Sequence, residues 1–96
     1  MEILIAYDVA TDDAAGKRRL RRVAQVCMAY GQRVQKSVFE CIINEAELEM
    51  LKHRLTREME KSKDSVRIYR LIEPHSRYLS LIGKQPEFDL HKPLLV

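Results

Sequence analysis

Ninety-six residues, 46% hydrophobic and 32% charged with only three Gly and three Pro, describe one small globular domain and exclude a low-complexity or two-domain chain. No apolar run approaches the roughly 20 residues a membrane helix needs, and the N-terminus lacks the basic stretch and cleavage site of a signal peptide, so a cytoplasmic protein is expected. The net charge of +3 is a weak pointer to an anionic partner.

The first element is a strand over 1–9. Ile3, Ile5 and Tyr7 face one way and Leu4, Ala6 and Asp8 the other, and apolar side chains on both faces predict a central strand. A helix follows from about Asp13 to Tyr30. Leu20, Val23, Ala24, Cys27 and Tyr30 make one apolar stripe, Thr11, Asp12 or Asp13 can cap the start, and Gly31 offers a left-handed stop. The segment Arg33–Ile43 is β-branched and aromatic, either one bent strand or a tight pair of strands. Asn44 and Glu47 have the spacing of a capping box, and Leu48, Leu51, Leu55 and Met59 stripe the helix that follows. Residues 60–65 form a polar loop and Val66–Ile72 a last strand, ended by Pro74; Tyr78–Ile82 is a short apolar segment.

This order predicts an α+β fold, a ferredoxin-like β-α-β-β-α-β sandwich with an antiparallel sheet and both helices on one face. The uncovered face of the sheet predicts a homodimer packed sheet to sheet. The domain is expected over 1–83. The tail, 84–96, is irregular but ends in the apolar Pro93–Val96, suited to docking on a partner subunit or on another protein.

Cys27 and Cys41 both fall within apolar patterns and read as buried, reduced thiols; the three histidines have no metal-ligand spacing. Lys17–Arg22, KRRLRR, sets five cations in six residues. Arg18, Arg21 and Arg22 point away from the apolar stripe, with Lys17 and Arg19 flanking it. Cations in the first half of a helix oppose its macrodipole, so helix stability does not explain them. Arginine forks onto phosphate in bidentate fashion. A surface for nucleic-acid backbones is one reading, to which Arg33, Arg67 and Arg70 can add. A solvated helix face is the other.

Asp8 ends an apolar strand. It can cap the turn that follows, or it can be a metal carboxylate, since Mg²⁺ takes one or two carboxylates completed by water and phosphate. One such acid per chain is thin for a nuclease, but a dimer that brings two copies together has two, and a shared cation would relieve their repulsion.

Three stretches carry a family resemblance: Tyr7-Asp8 at the end of the first strand, KRRLRRV in the first helix, and YGQRVQKSVFE from Tyr30 to Glu40. Over roughly residues 1–82 the chain resembles the small CRISPR-associated protein of spacer acquisition, the nuclease-like partner of the CRISPR integrase. The resemblance implies a ferredoxin-like symmetric homodimer with Mg²⁺ or Mn²⁺ held near the dimer axis by Asp8 of each subunit. It implies nucleic acid, DNA or RNA, and the integrase as partners, the integrase being the other protein on which Pro93–Val96 could dock. Asp8 matches the metal ligand, and Tyr7, Arg19, Arg21, Arg33, Ser37 and Phe39 fall at or near positions tied to activity or site architecture. Members act as endoribonucleases, as double-stranded DNA nucleases or as non-catalytic scaffolds, so a metal-dependent endonuclease and a DNA-bridging scaffold are both expected readings. A toxin-like ribonuclease of the same fold is a third.

Overall fold

The computed structural model describes residues 1–72 and 77–85. It runs β1 (Glu2–Asp8), α1 (Ala14–Tyr30), β2 (Gly31–Gln35), β3 (Val38–Ile42), α2 (Glu45–Glu58) and β4 (Ser65–Leu71). The strands form one antiparallel sheet in the order β2-β3-β1-β4, the ferredoxin-like arrangement expected from the element order. The Arg33–Ile43 segment resolves into a pair of strands joined at Lys36-Ser37, with a register shift between Arg33 and Gln35.

β1 is central, paired with β3 and β4 along its length. Its alternation divides the two faces of the sheet. Ile3, Ile5 and Tyr7 are buried with Phe39 and Cys41 of β3 against Val23, Ala24, Val26 and Cys27 of α1 and Leu48, Leu51 and Leu55 of α2. Leu4 and Ala6 lie on the other face, half-buried. Their cross-strand partners there are Glu40 and Val38 of β3 and Tyr69 and Arg67 of β4. Ile42 and Tyr69, 46% and 44% exposed, continue this open face, and the Tyr78 hydroxyl donates to the Glu2 carboxylate at its edge.

Local signals set the helix ends. The Asp13 side chain caps α1 by accepting from the Gly16 N–H at 2.8 Å. Asn44 and Glu47 make the reciprocal capping box of α2, at 2.8 and 3.0 Å. Gly31 departs from expectation. With φ −164° it is extended backbone that opens β2, not a left-handed stop. Glycine is needed because a Cβ there would run into the Glu40 carbonyl and the Cys41 sulfur. Met59 also differs, as the C-cap of α2 and only half-buried. Cys27 and Cys41 are free and buried, and burial pushes both thiols up to about 12. Pro74 and the 86–96 stretch of the tail, including Pro93–Val96, lie outside the described residues. Among the described residues no helix is long and apolar enough to cross a membrane.

Candidate functional site

Asp8 is the last residue of β1, exposed on the open face opposite Ser65 of β4. It follows the buried Tyr7, and strand alternation sends these two neighbours to opposite sides of the sheet. Among the described residues no three His, Cys, Asp or Glu side chains gather as a metal cage.

The chain leaving Asp8 is held by an acid that sequence patterning assigns only to a polar loop. Asp64 is buried, and its carboxylate accepts four hydrogen bonds. The Ala10 N–H donates to Oδ1 at 3.1 Å, and the Glu60 N–H to Oδ2 at 2.8 Å. Arg19 donates from Nε to Oδ2 at 2.8 Å and from Nη2 to Oδ1 at 3.4 Å. The same Nη2 reaches the Ala10 carbonyl at 3.5 Å. Burial works to raise the Asp64 carboxyl, but Arg19 and the two backbone amides outweigh it and hold it below the usual carboxylate range. The Asp64 carboxylate in turn raises Arg19 above its ordinary value. Only an acid just ahead of a strand hinted at this, and two of its partners, Arg19 and Ala10, lie 45 and 54 residues away in sequence.

Arg19 therefore differs from the other cations of its cluster. Its side chain is 17% exposed and turned onto Asp64, while Lys17, Arg18, Arg21 and Arg22 are exposed. Of the other arginines considered, Arg70 pairs with Glu45 at 2.9 Å and Arg67 donates to the Tyr69 hydroxyl at 3.0 Å.

Tyr7, Arg21, Arg33 and Ser37 meet on the helical side of the sheet. They line an open groove of about 620 Å³ between α1 and the β2–β3 hairpin, with Leu20, Val34 and Lys36. The Tyr7 N–H donates to the Ser37 carbonyl at 3.0 Å, and its hydroxyl to the Lys36 carbonyl at 3.3 Å. Phe39, fully buried, backs two of these residues: its ring stacks 6.1 Å from that of Tyr7, and the Arg33 guanidinium lies 5.1 Å over it. Burial raises the Tyr7 phenol, against a lowering pull from Arg33. Ser37 serves this arrangement through its backbone carbonyl. Three cations, Arg21, Arg33 and Lys36, rim the groove with no acid in its lining, which suits a phosphate-bearing ligand.

The family profile described as CRISPR associated protein Cas2 matches residues 1–77. The chain belongs to the Cas2 family. It is 55% identical over 96 residues, all of both chains, to CRISPR-associated endoribonuclease Cas2 1 of Moorella thermoacetica. It is 48% identical over 95 residues, 99% of each chain, to CRISPR-associated endonuclease Cas2 of Halalkalibacterium halodurans. Among solved structures, Streptococcus pyogenes Cas2 superposes with a TM-score of 0.78 at 47% identity, covering 86% of this chain and 100% of that one. The family resemblance carried by Tyr7-Asp8 and by Tyr30–Glu40 is thus met over most of the chain. The described Cas2 fold keeps Asp8 and the basic groove on opposite faces of one subunit.

Proposed function

We propose that this Cas2 protein works as a homodimer in CRISPR adaptation, with the integrase as partner, and hydrolyses phosphodiester bonds in RNA or duplex DNA at a divalent cation held by Asp8 of each subunit. The observation that carries the reading is the exposed carboxylate at the end of the central strand, on the face that α1 and α2 leave uncovered. Half-buried Leu4, Ala6 and Val38 with exposed Ile42 and Tyr69 make that face apolar enough to pair with a second copy. The relatives named endoribonuclease and endonuclease support the activity.

The donor chemistry fits Mg²⁺ or Mn²⁺. An accessible hard oxygen donor from each subunit matches ions that take one or two carboxylates and complete their shell with water and phosphate. A cation bound there would neutralise phosphate charge and lower the pKa of coordinated water. Lys17, Arg18, Arg21 and Arg22 on α1, with Arg33 by the groove, hold the nucleic-acid backbone electrostatically. Arg33 is kept in place by its stack on Phe39.

Cleavage of labelled single-stranded RNA and duplex DNA in Mg²⁺, with Asp8→Ala purified in parallel, tests this. The expected result is cutting by wild type and none by the variant. Equal behaviour of the two removes Asp8 from catalysis. The exposed basic face of α1 then favours the second reading, a scaffold that bridges DNA for the integrase. In that case Arg18, Arg21 and Arg22 to Ala each lower the slope of log K against log salt by roughly one.

A further inference from the structure

We propose that Asp64 and Arg19 are positioning residues for Asp8, holding its carboxylate in the direction metal binding requires. The inference rests on the reading of Asp8 as a metal ligand and adds to it a supporting pair.

The argument starts from where the sheet stops holding the chain. The ladder with β4 ends at the Asp8–Ser65 pair, and β1 ends at the same residue. Beyond it, no strand or helix holds 9–13. An exposed terminal side chain takes its direction from its backbone, and past Asp8 the buried Val9 side chain anchors that backbone in the core without fixing the polar groups of the segment. Ala10, two residues on, is gripped at both polar groups. Its N–H goes to Asp64 Oδ1 at 3.1 Å and its carbonyl accepts from Arg19 Nη2 at 3.5 Å.

The grip has a geometric consequence. Asp64 immediately precedes Ser65, the residue across from Asp8. One carboxylate therefore ties the segment leaving Asp8 to the strand that faces Asp8. Arg19 extends the tie to α1 and the Glu60 N–H extends it to the turn after α2. Asp8 is bracketed by three elements that meet at a single buried side chain.

Stability alone is a poor account of this choice. A buried ion pair is weak support for stability, because desolvation offsets most of the Coulombic gain. What a fully satisfied buried network supplies is a unique geometry. Partners hydrogen-bonded directly to a metal ligand typically cost roughly 10–100-fold in metal affinity when removed, and a pair that acts on Asp8 through its backbone belongs at the low end of that range.

The experiment is Mn²⁺ binding to the full chain, followed by the paramagnetic signal of free Mn²⁺, for wild type, Asp8→Ala, Asp64→Asn and Arg19→Lys. Circular dichroism and urea unfolding run alongside. Arg19→Lys keeps charge and stem but loses the fork that reaches both Asp64 and Ala10, so it remains informative where Asp64→Asn does not fold. The expected result is about a tenfold or greater loss of Mn²⁺ affinity in the folded variants, with the KM for nucleic acid unchanged and kcat reduced. Wild-type Mn²⁺ affinity in folded Arg19→Lys overturns the inference while leaving Asp8 as ligand. Equal binding by wild type and Asp8→Ala, or none by wild type, overturns the Asp8 reading and this inference with it.

Discussion

Replacing Gly16 by Ala separates two effects of opposite sign. Gly16 sits in the first turn of α1 and is buried. Helix propensity alone favours alanine there by about 1 kcal/mol. Packing opposes it. A Cβ at this position would fall on the Ala10 carbonyl oxygen, 3.0 Å from the Ala10 carbonyl carbon and 3.2 Å from Asp13 Oδ1. The obstruction is backbone, so relief requires moving either the Ala10 segment or the start of the helix. Overpacking of this kind costs about 1–3 kcal/mol. Moving the helix start also weakens the Asp13 cap on the Gly16 N–H, worth about 1 kcal/mol. Moving Ala10 strains its two bonds to Asp64 and Arg19, at about 1 kcal/mol each. The unfavourable side wins, and the net destabilisation is about 2 kcal/mol. With a urea m-value of roughly 1–3 kcal/mol/M, the midpoint falls by about 1 M at fixed protein concentration. A midpoint that rises by the propensity gain would refute the close approach of α1 to Ala10, and with it the packing account of the loop after Asp8.

Acid should act through Asp64. Its carboxyl lies below the ordinary range in the folded chain, so its contribution is fully present above the unfolded value near 3.9 and is lost as pH falls through the folded one. Urea midpoints between pH 6 and pH 3 should drop more steeply for wild type than for Asp64→Asn; parallel curves contradict the assignment. The two thiols, both raised to about 12 by burial, leave only about one molecule in 10⁴ as thiolate at pH 8. Cys27 and Cys41 should react with a disulfide reagent in urea but not in the native protein, and rapid native labelling would show that the core is open.

How much of this was legible beforehand depends on the range of the interaction. The capping box at Asn44 and Glu47 is a contact three residues long, so its spacing predicted it and the structure has it. The exposed faces of Arg18, Arg21 and Arg22 follow from helical period, again a local property. Gly31 is ambiguous in the sequence because a glycine after a helix has two uses, a left-handed stop or a close approach. Only the position of Glu40 and Cys41 on the neighbouring strand distinguishes them. Arg19 looks like its neighbours in a run of cations, and what turns it inward is an acid 45 residues later.

The sequence by itself determined the order of elements, the alternation of faces along each, the capping box of α2 and the family, because periodicity, capping and motif are written in short intervals of chain. Only the tertiary structure decided which of the two faces of β1 lies inside, so that Tyr7 comes to the basic groove and Asp8 to the open side of the sheet. Only it decided that Asp64 closes the loop between them. The physical reason is common to both: which side of a strand is inside, and which distant acid meets which arginine, depend on strand pairing across the whole chain, and no local pattern encodes that register.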